Sequence, residues 1–274
     1  ERIHYRAYMI FVLFLVGFSY AVSGHWIWGG GWLAERGVLD FAGGLVVHLT
    51  AGVSALVIAK ALGPRRGFPR DTTPPHHPGL TMIGAAMLWV GWFGFNAGSA
   101  LAANGTATMA MLVTQVATAG AVVTWMLIEW IKNGKPSILG VITAAVAGLV
   151  AITPASGSVG PMGALAIGIA SGIACYWGAT CLKAKCGYDD SLDVFGVHGI
   201  GGIVGALLTG IFVAKGFGGT GLAEGVTIGG QLGKQAIGVL TTVVYSGVVS
   251  FIILSLIHIS EPTRRTPISY AVFC

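Results

Sequence analysis

Eight stretches of this chain run for roughly twenty residues each with almost no charge, the length a helix needs to cross a bilayer's hydrocarbon core. They fall at about 5–23, 41–62, 80–102, 107–131, 137–154, 160–183, 194–214 and 232–259. Lipid offers no partner to a backbone N–H or C=O, so each stretch must satisfy its own as a helix rather than as open sheet. The fold class that follows is all-α: a polytopic transmembrane helix bundle over residues 1–259. Composition excludes the soluble alternative, since 54% of residues are hydrophobic and 9% charged, against about a quarter charged in a soluble domain.

Glycine recurs at four-residue spacing in Gly94/Gly98, Gly168/Gly172 and Gly201/Gly205, a pattern that lets membrane helices approach closely. Basic residues set the orientation. Arg2 and Arg6 precede the first span, Lys60, Arg65, Arg66 and Arg70 follow the second, Lys132 and Lys135 the fourth, and Lys183 and Lys185 the sixth. The connections around 103–106 and 155–160 carry none, so the basic loops are assigned to the cytoplasm of a plasma or inner membrane. Arg36 and Lys215 are the exceptions. The net charge of +5 therefore reports topology and not nucleic-acid binding.

Glu1 lies two residues before the first apolar stretch is approached from the basic side, which leads us to expect further helices upstream. At the other end, Ser260-Glu261-Pro262-Thr263-Arg264-Arg265 breaks from the glycine-rich apolar style, so 260–274 reads as either a non-native appendage or a basic tail. Cys175, Cys181 and Cys186 lack CxxC spacing and read as packing thiols, and Cys274 lies in that tail. His76 and His77 stand among prolines and read as loop or helix-start residues. With no HExxH and no comparable ligand cluster, neither a metal nor another cofactor is expected.

His48 and His198 remain. Each is embedded in an apolar helix, where ionisable groups are rare and mark function by default. Their surroundings are alike: Asp40-Phe41-Ala42-Gly43-Gly44-Leu45-Val46-Val47-His48 and Asp193-Val194-Phe195-Gly196-Val197-His198-Gly199. At a rise of about 1.5 Å per residue, His48 lies about 12 Å from Asp40 and His198 about 7 Å from Asp193. The first helix runs inward from outside and the second outward from the cytoplasm, so the repeats are inverted and their site falls near the midplane.

Five segments carry a specific resemblance: Trp28 to Gly31, Asp40 to His48, Gly91-Trp92-Phe93-Gly94-Phe95-Asn96-Ala97-Gly98-Ser99, Ile152-Thr153-Pro154-Ala155, and Asp193 to Gly199. In this order and spacing they resemble the signature segments of the ammonium transporter (Amt/Mep/Rh) family. The resemblance implies eleven transmembrane helices with two inverted five-helix repeats, a homotrimer, and one narrow pore per subunit. On this basis the chain corresponds to helices four to eleven, and the family's regulatory cytoplasmic tail, with its partner protein, is not recognisable.

Mapped onto these residues, the resemblance makes Trp28 and Ser99 the substrate-binding pair at an outer vestibule. An indole face attracts a small cation by about 0.5–2 kcal/mol, and a hydroxyl accepts an ammonium N–H. Trp28 read alone is an interfacial aromatic anchor. Phe95 corresponds to a pore-gating ring, and His48 and His198 to twin pore-lining histidines that share a proton and relay it. Thr153 lines the site or satisfies a local backbone group, and Trp92 supports it. Asp40 caps backbone N–H groups at its helix start, with an electrostatic pull on cations second, and Asp193 holds the same position on the cytoplasmic side.

Ammonium and potassium are alike in size and charge, but only ammonium can give up a proton. The expected function is therefore transport in which ammonium is recruited, deprotonated, and conducted as ammonia through an apolar pore. Whether the proton also crosses stays open. A receptor using the same site as a sensor would call for a fused signalling domain, and an intramembrane enzyme for a nucleophile near the histidines. Neither feature is found in the sequence, so no enzyme is expected. A channel for another small neutral solute is the nearest rival.

Overall fold

The computed structural model describes residues 3–70 and 75–260, with most of the 260–274 segment and Cys274 outside them. Among these residues, eight helices cross the bundle. Helix α1 (Tyr5–Leu15) continues through a π-turn at Val16–Tyr20 into Ala21–Trp28, and is followed by α2 (Gly44–Leu62), α3 (Pro78–Gly98) and α4 (Gly105–Asn133). The second group is α5 (Ile138–Ile152), α6 (Pro161–Cys186), α7 (Phe195–Phe212) and α8 (Ile228–Ser260). Each lies over one of the eight apolar stretches, with ends shifted by a few residues.

Local chemistry starts the helices where they start. Pro78 sits in the first turn of α3, where its missing N–H costs nothing, and His77 Nδ1 accepts the Leu80 N–H at 3.0 Å. Asn104 caps α4 through the Ala107 N–H, and Ser137 caps α5 through the Gly140 N–H. Gly134 ends α4 at φ +75°, a left-handed conformation that only glycine adopts cheaply.

Helix α5 has 15 residues, about 22 Å of rise, and is too short to cross alone. The chain completes the passage through the irregular turn 153–158, whose Thr153, Ala155 and Ser156 are wholly buried. Irregular backbone is tolerable at this depth because protein surrounds it.

Two of the three glycine pairs make the close approaches. A Cβ on Gly168 would meet the Ala117 carbonyl of α4, one on Gly172 the Ala121 carbonyl, and one on Gly205 the Ala151 carbonyl of α5. Gly94 and Gly98 do not: a Cβ on either would meet nothing within 4 Å. They lie on α3, whose Met87, Leu88 and Val90 are exposed. Cys175 is buried, whereas Cys181 and Cys186 are exposed and so are not packing thiols. Buried hydroxyls join α1, α2 and α8, with Ser19 to Ser246 at 3.3 Å, Ser246 to Thr50 at 3.3 Å and Ser250 to Ser54 at 2.8 Å. Such bonds hold membrane helices together where lipid removes the hydrophobic drive.

Helices α2 and α7 cross antiparallel at the centre. A Cβ on Gly52 would meet the backbone of Gly199, and one on Gly202 the backbone of Gly44 and Leu49. These contacts exchange under a shift of 150 residues, which is the mark of a pseudo-two-fold axis. Both helices begin with a π-turn, Gly44–Leu49 in α2 and Phe195–Gly199 in α7. The inverted repeat is thus visible in the backbone.

Candidate functional site

The two π-turns carry His48 and His198 onto that axis. Their Nδ1 atoms stand 3.2 Å apart, with ring centroids 5.3 Å apart and planes at 39°. One ring donates and the other accepts, so the pair holds one proton between two nitrogens and turns both Nε2 atoms away from the contact. His48 is 4% exposed, and its Nε2 is buried with no hydrogen-bond partner among the described residues. A lone polar atom in such a place costs about 1–3 kcal/mol, a cost that a donor or acceptor arriving beside it would offset.

Trp92 stacks on His48 with centroids 5.1 Å apart and planes at 19°. Its indole N–H donates to Thr153 Oγ1 at 3.0 Å, and that hydroxyl donates to the Leu149 carbonyl at 2.8 Å. The buried turn after α5 therefore fixes the ring that fixes the histidine. Phe95 lies one turn further along α3, its ring 6.1 Å from His48 and 5.7 Å from Trp92. Val47, His48, Met87, Leu88, Trp92 and Phe95 line most of an open cavity of about 590 Å³ with almost wholly apolar walls.

At the start of α2, the Asp40 carboxylate accepts the N–H groups of Gly43 and Gly44 on Oδ1 and of Leu45 and Val46 on Oδ2, at 2.6–3.1 Å. It satisfies the donors that a helix start leaves free. Burial pushes this carboxyl above its ordinary range, against the pull of its four donors. Asp40 itself precedes the helix, which begins only at Gly44 after Gly43 at φ +112°. Trp28 donates its indole N–H to the Asp40 carbonyl at 2.7 Å and leaves its ring 46% exposed. Ser99 caps the end of α3 by donating to the Phe95 carbonyl at 2.9 Å. The hydrogen bonds of Trp28 and Ser99 are thus each local, and none joins the two.

At the start of α7, Asp193 is not the counterpart of Asp40. Asp190 is, eight residues before His198 as Asp40 is eight before His48, and its carboxylate accepts the Phe195 N–H at 2.7 Å. Asp193 occupies the place of Gly43: it has φ +56°, and its carbonyl accepts the Val197 N–H as that of Gly43 accepts the Val47 N–H. Its carboxylate holds Lys183 Nζ at 2.5 Å. Burial raises the Asp193 carboxyl, and Lys183 pulls it down. The equal eight-residue spacing was the signal for Asp190, and the phenylalanine close behind both Asp40 and Asp193 hid it. Asp189, beside it, is fully buried against the Arg65 guanidinium through bonds of 2.8 Å on both oxygens.

Residues 1–264 match the sequence profile of the Ammonium Transporter Family. The chain belongs to this family. It is 43% identical over 268 residues to an ammonium transporter of Bacillus subtilis (strain 168), covering 97% of this chain and 66% of that protein. To an ammonium transporter of Aquifex aeolicus (strain VF5) it is 47% identical over 256 residues, covering 92% of this chain and 59% of that one. A crystal structure of Candida albicans Mep2 superimposes with a TM-score of 0.87 at 35% identity, covering 96% of this chain and 60% of that one. The chain therefore spans somewhat less than two thirds of the length of these family members. Their shared all-helical membrane fold is the fold found here.

Proposed function

We propose that the protein bearing this chain conducts ammonium nitrogen across a membrane as ammonia, and that His48 and His198 are its filter. One observation carries the reading: two imidazoles in Nδ1 contact, buried on the axis between inverted helices, in walls that offer a bare cation nothing else. A potassium ion entering this site would have to leave its water for apolar side chains, an expense that ammonium escapes by losing a proton. An imidazole nitrogen with a free lone pair can accept or relay that proton.

Trp28 and Ser99 recruit ammonium at the outer mouth in this scheme, the indole by its π face and the hydroxyl by its lone pairs. Phe95 closes the path between that mouth and His48 and keeps water out. Trp92 and Thr153 hold His48 in place, while Asp40 and Asp190 fix the two π-turns. The basic loops face the cytoplasm of a plasma or inner membrane, and the assembly is a homotrimer. The reading is supported by membership of the family and by the chemistry of the paired histidines.

The test is uptake of ammonium and methylammonium by proteoliposomes carrying the full-length protein, with potassium as competitor. Saturable uptake without potassium current is the expected result. Potassium current of comparable size with both histidines intact would refute deprotonation as the filter.

A further inference from the structure

The pseudo-two-fold axis makes the centre of the pore alike from both sides, yet the two mouths differ in what holds the backbone carbonyl of the capping aspartate. At the mouth of Asp40, the backbone carbonyl of the capping aspartate is held by the neutral indole N–H of Trp28 at 2.7 Å. At the mouth of Asp190, the corresponding carbonyl takes the Lys183 ammonium at 3.4 Å, and the Asp193 carboxylate takes the same ammonium at 2.5 Å. Lys183 and Asp193 are mostly buried, with side chains 20% and 24% exposed. Asp193 is joined to the filter through its backbone, since its carbonyl accepts the Val197 N–H at 2.9 Å, one residue before His198.

A lysine side chain ends in a primary ammonium, a tethered relative of the transported ion, with three donors and one positive charge. We infer that Lys183 is a built-in occupant of the second mouth: it fills the carboxylate and carbonyl acceptors that would otherwise hold a free ammonium ion there. The first mouth offers an open indole face to a cation, and the second offers acceptors already taken by one. The pore thus binds ammonium at the Trp28 side and exchanges the neutral molecule at the Lys183 side. This inference rests on the ammonium reading above and adds a sidedness to it.

A passive path obeys detailed balance, so with no voltage the ratio of maximal rate to half-saturating concentration must be the same from both sides. Sidedness then appears in each quantity separately. The experiment reconstitutes the full-length protein with known orientation, clamps the voltage at zero, and measures methylammonium initial rates from each side. Half-saturation is expected at higher concentration from the Lys183 side. Lys183→Met should free Asp193 and lower that value by roughly threefold, the scale of a partly exposed charge contact, with half-saturation from the Trp28 side unchanged. Adding Asp193→Asn to Lys183→Met should restore the original value, and Lys183→Arg should keep it.

A merely structural lysine would change both sides together, so equal shifts from both sides in Lys183→Met, or none, would overturn the inference. A sided shift that survives Asp193→Asn would overturn it too, because the acceptor would then be elsewhere. Absence of any methylammonium or ammonium flux in the unmodified protein is the distinct result that would remove the ammonium reading and this inference with it.

Discussion

Replacing Gly52 by Ala tests whether the crossing of α2 and α7 sets the histidine pair. The added Cβ would stand 2.5 Å from the Gly199 Cα and nearer still to its nitrogen, where ordinary contact begins at 3.4 Å. Both obstacles are backbone, so no side chain can turn aside, and the crossing must open by about 1 Å. His48 lies one turn from Gly52, and His198 adjoins Gly199, so this opening passes to the imidazoles. Their 3.2 Å contact then exceeds the roughly 3.5 Å reach of a hydrogen bond.

The overpacking itself costs about 1–3 kcal/mol of stability. The lost inter-ring bond removes about 1.5 kcal/mol more, equivalent to about tenfold in rate if the pair acts in the limiting step. Full-length Gly52→Ala protein, quantified in membranes by immunoblot, should show a lowered melting temperature and about tenfold less methylammonium uptake per molecule. Gly202→Ala meets its nearest atoms at 2.9 and 3.2 Å and should lose less. Gly94→Ala meets nothing within 4 Å and should lose nothing through contacts within this chain. Full uptake by Gly52→Ala, or a greater loss in Gly202→Ala, would refute the claim that this crossing holds the filter together.

Three further outcomes follow from the same geometry. His48→Ala and His198→Ala should cost similar flux, and the double variant much less than their sum, since both break one unit; strict additivity in uptake assays would mean the rings act separately. Asp40→Asn leaves one oxygen to accept where two now serve four N–H groups, so two buried donors lose their acceptor at about 1–3 kcal/mol each. Its melting temperature in detergent should fall further than that of Asp190→Asn, whose carboxylate caps only the Phe195 N–H within its helix. Thr153→Val removes the acceptor of the Trp92 indole, and should shift the tryptophan fluorescence while lowering flux severalfold, by the loss of about 1 kcal/mol from one hydrogen bond.

The architecture was legible because lipid leaves so few solutions. A chain with eight long apolar stretches has to make helices of them, and a helix lies over each. The histidines were legible because an imidazole at that depth needs a partner, and His48 and His198 stand in matching segments, each behind an aspartate, a phenylalanine, glycine and valine. What the sequence concealed lay where backbone geometry, rather than side-chain type, decides the outcome. Gly94 and Gly98 have the spacing of a packing motif, but spacing names a face of α3 and does not say what stands against it.

Asp193 shows the same limit in a single residue. It stands at the position of Gly43, a left-handed position at φ +56° that glycine fills on one side of the axis and an aspartate on the other. Aspartate tolerates this conformation better than most side chains, so the repeat keeps its backbone while its chemistry changes. A pattern search that follows side chains pairs Asp193 with Asp40, and one that counts residues from the histidine pairs Asp190 with it. Counting is the better guide here because the axis relates peptide groups: the carbonyls of Gly43 and Asp193 accept the equivalent N–H groups, whatever their side chains carry. Once the backbone is fixed in this way, the position of Gly43 is free to acquire a charge on one side only. The Asp193 carboxylate and the lysine it holds are therefore one place where the two ends of the proposed pore can differ.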